Sequence, residues 1–322
     1  MNGSRVIILI ARKEHFGYTL FDKEKLNHRF SREMPEGSIL LPERLFPRTD
    51  ILSAPIRVYW EVTNICNLRC KHCHNSSGKS LDDELSTDEA IKTVREMARD
   101  NIFDLRISGG EPIQHPDWFE IFSEARDSGM ALSFNTNGFY GSQHNKTIER
   151  FLELNPEQIT FSLDGNRKHH DNLRCPGSFD AVLKSMADLH LAGYRHLRIN
   201  SVMIKGYEDS LFEVMDLAGK YCDEMNCFYM RISGRARNLE KQAMNMEELK
   251  EIDRTVETLM SSYPQVNFIF NEGSYRKNSI EEEDFTGLEK GLQDGITRFN
   301  LFANGAVQPG GYTPRLTNTY YL

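Results

Sequence analysis

The eight residues Cys66-Asn67-Leu68-Arg69-Cys70-Lys71-His72-Cys73 are the most informative stretch of this chain. They contain half of its six cysteines, in the spacing C-x3-C-x2-C. The apolar run Val58-Tyr59-Trp60-Glu61-Val62 before them predicts a short buried strand that ends at Thr63-Asn64. Three thiolates on one loop can bind three irons of a cubane cluster and leave the fourth iron open for another ligand.

Two other interpretations of this spacing stay open. A structural zinc site needs four ligands, and His72 or His74 could supply the fourth. Three unliganded buried cysteines are also possible, although three thiols so close together on a polar loop are unusual. The spacing alone therefore favours a cluster over zinc without deciding between them.

Composition and charge limit the classes of partner. The chain has 322 residues, 39% hydrophobic and 27% charged, which are ordinary values for a globular protein. A formal net charge of -8 argues against a dedicated surface for nucleic acid or an anionic membrane. The run from Val6 to Ile10 is too short for a signal peptide, and no run is long enough to span a membrane. We therefore expect a cytoplasmic protein that binds neither nucleic acid nor a membrane. Its clustered cysteines are expected to bind metal.

The middle of the chain alternates predicted strands with predicted helices. The strands are expected at residues 58–62, 103–108, 131–135, 159–163, 196–202 and 227–232. Helices are expected at 86–98, 116–128, 146–154, 179–192 and 209–220. Such alternation is typical of an α/β protein with a parallel sheet and helices outside it. Six units instead of eight predict an open partial (βα)6 barrel.

The two ends of the chain follow other patterns. Apolar runs at 6–10 and 17–21 predict a hairpin, and residues 1–54 form an N-terminal β-hairpin segment before a barrel at 55–235. This segment either caps the barrel or offers a strand edge to an extended peptide. Residues 236–322 are expected to form a short C-terminal α+β extension. Its elements are a helix at 247–259, a strand at 266–270 and a hairpin turning at Asn304-Gly305.

These motifs together resemble the radical SAM superfamily, over roughly residues 55 to 235. Its signature is C-x3-C-x-aromatic-C directly after the first barrel strand, and here His72 takes the aromatic position. Three further motifs follow in the order that the family shows: Gly109-Gly110-Glu111-Pro112, Thr136-Asn137-Gly138 and Ser162-Leu163-Asp164-Gly165. Each lies at the carboxyl end of a predicted strand, where the loops of such a barrel gather reacting groups.

A narrower resemblance is to the SPASM and twitch subfamilies, which modify peptides and carbohydrates. The stretch His170-Asp171-Asn172-Leu173-Arg174, followed by Gly177-Ser178-Phe179, matches theirs. The segment from Asn304 to Pro309 is similar to the entry of their auxiliary-cluster extension. There a cysteine normally follows the proline, whereas here Gly310 does, and no cysteine occurs after Cys227. The resemblance therefore implies a shortened extension without that cluster.

The resemblance implies one [4Fe-4S] cluster on Cys66, Cys70 and Cys73, with S-adenosylmethionine on its open iron. An electron from a donor such as flavodoxin or ferredoxin then cleaves the sulfonium bond and releases a 5'-deoxyadenosyl radical. Glu111 is expected to pair with the methionyl ammonium, and Arg174 is a candidate clamp for the methionyl carboxylate or else a surface ion pair. The other candidate cofactor contacts are His72, Gly109, Gly110, Pro112, Asn137, Ser162, Asp164, Asn200 and Tyr229.

Three cysteines lie outside the signature. A free cysteine is commonly a small core hydrophobe, but a thiol near the substrate could donate a hydrogen atom, as in radical SAM epimerases. Cys175, beside Arg174, is the candidate hydrogen donor, because Cys227 is expected to begin the sixth strand and Cys222 to precede it. A second cluster held by all three has the least support.

The subfamily motifs favour a maturase that abstracts hydrogen from a residue of a ribosomal peptide, for epimerisation or cross-linking. The alternative is a carbohydrate or aminocyclitol epimerase or dehydrogenase, which has the same motif set and a small-molecule substrate. A non-catalytic metal-binding scaffold is disfavoured, because it has no need for an ammonium-binding turn at Gly109, Gly110 and Glu111.

Overall fold

The computed structural model describes residues 9–15, 17–42, 52–270, 273–274, 297–309 and 320–321. The strands in these ranges are β1 Leu9–Glu14, β2 Gly17–Asp22, β3 Asn27–Ser31, β4 Ile39–Leu40, β5 Arg57–Glu61, β6 Asp104–Ser108, β7 Ala131–Thr136, β8 Gln158–Ser162, β9 Leu197–Met203, β10 Glu224–Tyr229, β11 Asn267–Phe270, β12 Gly273–Ser274, β13 Arg298–Leu301, β14 Ala306–Gln308 and β15 Tyr320–Tyr321. The helices are α1 Thr87–Arg99, α2 Trp118–Asp127, α3 His144–Leu154, α4 Arg167–Leu173, α5 Ser178–Leu191, α6 Leu211–Tyr221 and α7 Met246–Leu259.

Strands β5 to β10 form the predicted parallel sheet, in chain order. Alternate side chains face the helices, as the pleat of a strand requires. Trp60 of β5, for example, is fully buried and meets Phe122 of α2 edge to face, with ring centroids 6.0 Å apart. Full burial of a phenylalanine side chain such as that of Phe122 contributes about 1.5–3 kcal/mol to stability. The predicted α/β class and open partial barrel are therefore confirmed.

Several element boundaries differ from the prediction. The sixth barrel strand begins at Glu224, three residues earlier than expected, because Glu224 pairs with Arg198 of the neighbouring strand instead of marking a loop. The prediction that Cys227 begins this strand is wrong, since Cys227 lies inside the strand and is buried in the core. The seven-residue helix α4 was not predicted. It begins after Asn166, whose side chain accepts the backbone N–H of His169.

The N-terminal residues form a separate four-stranded sheet in the order β3-β2-β1-β4. The predicted hairpin is present as β1 and β2, whereas the polar strand β3 was not expected. Arg12 of β1 donates to the carbonyls of Ala54 and Pro55, and Phe21 stacks on Phe103 at 5.3 Å. These contacts lie at the amino ends of β5 and β6, which is the end of the barrel opposite the cysteine loop.

Strands from the C-terminal part join the barrel sheet on both edges. Strand β11 pairs parallel with β10, and β13 pairs parallel with β5. The predicted hairpin at Asn304-Gly305 connects β13 to β14, with Gly305 at a φ of 78°. Gly310 lies outside the described residues, so the prediction made from it stays a prediction. Among the helices that the structure describes, none has the length and apolar character needed to cross a membrane.

Candidate active site

The cysteine loop runs from the end of β5 toward α1 and is closed by its own backbone. The N–H of Cys66 donates to the Gly78 carbonyl at 3.2 Å, and the Gly78 N–H donates to the Asn64 carbonyl at 2.7 Å. Cys70 is buried, while Cys66 and Cys73 are half-buried, and all three are free thiols. Burial and the nearby Glu111 carboxylate raise the pKa of Cys66 to about 12. A metal or cluster that binds here must therefore displace the thiol proton.

The Gly109-Gly110 turn lies directly beneath the start of this loop. The N–H of Gly110 donates to the Thr63 carbonyl at 2.6 Å, and the N–H of Glu111 donates to the Ile65 carbonyl at 2.8 Å. A Cβ on Gly110 would lie 2.0 Å from the Ile65 oxygen, and one on Gly109 would lie 2.4 Å from the Thr63 oxygen. Both glycines are thus required because the turn packs closely against the start of the cysteine loop.

Glu111 connects its own motif, at the carboxyl end of β6, to the Thr136-Asn137-Gly138 motif at the carboxyl end of β7. Its two carboxylate oxygens accept the Thr136 hydroxyl and the Asn137 backbone N–H, each at 2.7 Å. Burial raises the pKa of Glu111 to about 7, although these hydrogen bonds partly oppose the shift. The Asn137 amide also donates to Asn67 of the cysteine loop at 2.9 Å. The structure therefore brings three separate sequence motifs together at one end of the barrel.

Asp164 is held entirely by the protein's own groups. One oxygen accepts Nε of Arg174 at 2.6 Å and lies 3.3 Å from Nε2 of His72. The other oxygen accepts the backbone N–H of Val202 at 2.9 Å. Although burial alone would raise the pKa of Asp164, the charges of Arg174 and the nearby histidines hold it below its usual value. Burial acts in the opposite direction on a histidine, and it lowers the pKa of His72 to about 4.

The His170-to-Phe179 stretch is organised by two local contacts. The Asp164 backbone N–H donates to Nδ1 of His170 at 3.1 Å. The Asp171 carboxylate accepts the N–H groups of Gly177 and Phe179, each at 2.8 Å, at the start of α5. These contacts set the direction of the chain between α4 and α5, from which Arg174 reaches the cysteine loop.

Arg235 is a contact of the cysteine loop that the sequence reasoning missed. Its Nε donates to the Cys70 carbonyl at 2.8 Å, one terminal nitrogen donates to the Ser77 carbonyl at 2.9 Å, and its backbone N–H donates to the Cys73 carbonyl at 2.9 Å. A Cβ on Gly234 would lie 2.2 Å from the His74 oxygen, so the chain here needs glycine to approach the loop. No local sequence pattern indicates that an arginine after the last barrel strand will contact the cysteine loop.

We expect Arg235→Ala to weaken the hold of the cysteine loop on any bound metal. Losing hydrogen bonds from a charged group costs about 1.5–3 kcal/mol. If opening of the loop limits the release of metal, this loss corresponds to release that is at least about tenfold faster. The measurement is the rate of iron transfer from anaerobically loaded protein to a chelator. Arg237→Ala is the control, because Arg237 lies on the same turn and is exposed; equal rates in both variants would contradict the role.

The remaining predicted residues lie around this centre. Ser162 and Asn200 are register partners on β8 and β9, and Oδ1 of Asn200 has no hydrogen-bond partner within the described ranges. Tyr229 is 45% exposed at the end of β10. The Cys175 thiol lies against the Ser178 hydroxyl, on the connection between α4 and α5. No three His, Cys, Asp or Glu side chains in the part of the chain that the structure describes converge as ligands of a single metal ion.

Comparison with known proteins decides the family. A family model described as the radical SAM superfamily matches residues 60–218. The AdoMet-dependent heme synthase of Oleidesulfovibrio alaskensis is 30% identical over 278 residues, which cover 79% of this chain and 69% of that protein. This chain belongs to the radical SAM superfamily. The relatives that it matches are named as enzymes, so the radical SAM chain described here is a member of an enzyme superfamily.

Two further comparisons concern a relative that is named as a maturase and a solved structure. The mycofactocin maturase MftC of Mycobacterium tuberculosis is 33% identical over 189 residues, covering 58% of this radical SAM chain and 48% of that protein. The chain thus spans about half the length of the mycofactocin maturases that it matches. SuiB of Streptococcus suis, solved with S-adenosylmethionine, has a TM-score of 0.74 over 97% of this chain and 84% of its own, at 15% identity. At that identity the likeness shows the shared fold.

Superfamily membership implies an iron-sulfur cluster and S-adenosylmethionine, and the residues present fit both groups. Three free thiols share one loop whose backbone is already closed. A buried carboxylate, Glu111, lies in the adjoining turn and can accept an ammonium group. The site thus offers thiolate sulfur, which suits iron, beside a carboxylate oxygen, which can accept a hydrogen bond from an ammonium group.

Proposed function

We propose that this chain cleaves S-adenosylmethionine reductively to a 5'-deoxyadenosyl radical that abstracts hydrogen from a residue of a ribosomal peptide, leading to epimerisation or cross-linking. The observation that supports the radical chemistry best is the convergence of the cysteine loop, the Glu111 turn and Asn137 at one barrel end. The peptide substrate is supported by the 33% identity to the maturase MftC, and by a fold shared with SuiB, which was solved with its precursor peptide SuiA.

In this proposal the bound cluster supplies the electron that breaks the sulfonium bond. Cys66, Cys70 and Cys73 bind three of its irons, and Glu111 accepts the methionyl ammonium through the free lone pairs of its oxygens. The amide oxygen of Asn200, which has no partner in the described part of the chain, is an acceptor for the cofactor or the substrate. Gly109 and Gly110 allow the turn to pack against the cysteine loop, and this packing positions Glu111 next to that loop.

One residue, Asp164, receives a role that differs from the one implied by family resemblance. Asp164 has both oxygens engaged by Arg174, His72 and Val202, so we propose that it positions Arg174 and does not contact the cofactor itself. Pro112 and Tyr229 stay candidate contacts from the sequence. The domain division at residues 54 and 235 also stays a proposal.

A second candidate function is a step of heme synthesis. The AdoMet-dependent heme synthase of Methanosarcina barkeri is 27% identical over 280 residues, which cover 82% of this chain and 79% of that protein. That match extends well beyond the barrel, whereas the match to MftC covers 58% of the chain. The carbohydrate or aminocyclitol alternative rests on the subfamily motifs alone.

The deciding experiment measures 5'-deoxyadenosine released by anaerobically reconstituted protein under excess reductant. We expect a short peptide encoded beside the gene to stimulate release and to lose hydrogen at one residue. The competing candidates are an iron porphyrin and an aminocyclitol, tested in parallel. Stimulation by the porphyrin alone would contradict the peptide proposal and support the heme candidate.

We expect Cys175→Ala to release 5'-deoxyadenosine normally but to fail to complete the epimerisation of the substrate. A substrate radical must receive hydrogen on its opposite face, and a thiol has a weak S–H bond that can supply it. In deuterated water the wild-type product should carry deuterium, whereas the variant should form no inverted product, as mass spectrometry would show. Cys222→Ala is the control, because Cys222 is buried at the end of α6. Normal inversion by Cys175→Ala would remove it as the donor.

A further inference from the structure

Arg174 extends from Asp164 toward the sulfur of a cluster-loop cysteine. Its Nε donates to the Asp164 carboxylate at 2.6 Å, and one terminal nitrogen lies 3.8 Å from Sγ of Cys70. That N–H points at sulfur, which accepts hydrogen bonds at longer distances than oxygen does. The guanidinium is a permanent cation with donors in a fixed plane, so it holds the carboxylate and the sulfur at the same time.

Burial makes this charge effective. The side chain of Arg174 is 9% exposed and that of Asp164 is fully buried, so little water screens the guanidinium. Asp164 cannot swing away, because its second oxygen accepts the backbone N–H of Val202 at 2.9 Å. The structure thus places a buried cation beside this sulfur.

We infer that Arg174, held by Asp164, sets the reduction potential of the cluster through its N–H to Sγ of Cys70. The inference rests on the proposed function, since it requires that the cluster binds at Cys66, Cys70 and Cys73. One-electron reduction adds a negative charge that the ligand sulfurs share, and a buried cation beside one of them favours the reduced form. Arg174 is then a positioning residue of the electron-transfer step, a different role from clamping the methionyl carboxylate.

The test is an anaerobic potentiometric titration of the reconstituted protein without S-adenosylmethionine, followed by electron paramagnetic resonance of the reduced cluster. We expect Arg174→Gln to lower the ratio of reduced to oxidised cluster at a fixed potential about tenfold, a shift of about 59 mV for a one-electron couple. Asp164→Asn should move the potential in the positive direction, because it removes the opposing charge. A charge effect predicts potential shifts of opposite sign in Arg174→Gln and Asp164→Asn, whereas distortion of the loop does not predict this difference in sign.

The matched control is Arg167→Gln. Arg167 is the first residue of α4, and Arg174 directly follows the last. Arg167 also pairs with a carboxylate, that of Asp180, but both are exposed. Its replacement should leave the potential unchanged. Arg174→Lys retains the charge and should shift the potential less than Arg174→Gln does. Iron content of each variant is measured first, so that only variants with a full cluster are compared.

The outcomes separate the inference from the proposed function. Equal potentials in wild type and Arg174→Gln overturn the inference, as do shifts of the same sign in Arg174→Gln and Asp164→Asn. Weaker S-adenosylmethionine binding by Arg174→Gln at an unchanged potential supports the carboxylate clamp in its place. If Arg174→Gln loses the cluster, the sign of the Asp164→Asn shift decides. Wild-type protein that loads no [4Fe-4S] cluster contradicts the proposed function itself.

Discussion

Replacing Cys66, Cys70 or Cys73 with alanine is expected to reduce iron loading from about four per chain to nearly none and to abolish cleavage of S-adenosylmethionine. Each thiolate binds one iron of the cubane, so that losing one leaves a second iron without a protein ligand. The loop itself should persist, because its closure depends on backbone hydrogen bonds between Asn64, Cys66 and Gly78 and not on the thiols. The measurements are iron and sulfide content after anaerobic reconstitution, and 5'-deoxyadenosine by mass spectrometry.

Cys222→Ala is the matched control for these variants, since it removes a buried thiol far along the chain from the loop. It should load iron as the wild type does. Stoichiometric zinc with no iron spectrum in anaerobically prepared wild type would overturn the cluster assignment. About eight irons per chain would instead indicate a second cluster, and would contradict the prediction of a shortened extension without one.

Glu111→Gln is expected to retain the cluster but to bind S-adenosylmethionine about 10- to 150-fold more weakly. The substitution removes a charge-assisted hydrogen bond worth roughly 1.5–3 kcal/mol. It should not disturb the turn, because the amide oxygen can still accept the Asn137 N–H at the position of Oε2. The Thr136 hydroxyl, which now donates to Oε1, can reverse and accept the new N–H group.

Affinity for S-adenosylmethionine is measured by anaerobic equilibrium dialysis on protein with full iron content. Glu120→Gln serves as the control, because Glu120 is an exposed carboxylate on α2 and should leave the affinity unchanged. A melting temperature close to that of the wild type would show that the buried turn is intact. Unchanged affinity in Glu111→Gln at full iron loading would remove Glu111 from the cofactor site.

Local sequence determined the parts of this protein that depend on neighbouring residues. The alternation of apolar runs with amphipathic segments predicted the parallel sheet and its helices, because period and turn chemistry are properties of adjacent positions. The Asn304-Gly305 pair predicted the hairpin between β13 and β14 for the same reason. The three cysteines indicated a metal site because their spacing places them on one loop. The position of Cys227 was mistaken, because the charged Glu224 at the strand start resembles a loop residue until its partner Arg198 is known.

Tertiary structure alone decided how the candidate centre is held together. Arg235 lies 165 residues from Cys70, and Arg174 lies 104 residues from it, so no spacing in the sequence joins either arginine to the cluster loop. The motif around Asp164 predicts a cofactor contact, and only the structure adds that its oxygens are engaged by Arg174 and Val202. Buried charges need partners, and parallel strands bring those partners to one barrel end from distant parts of the chain. Which partners meet is therefore determined by the packed fold.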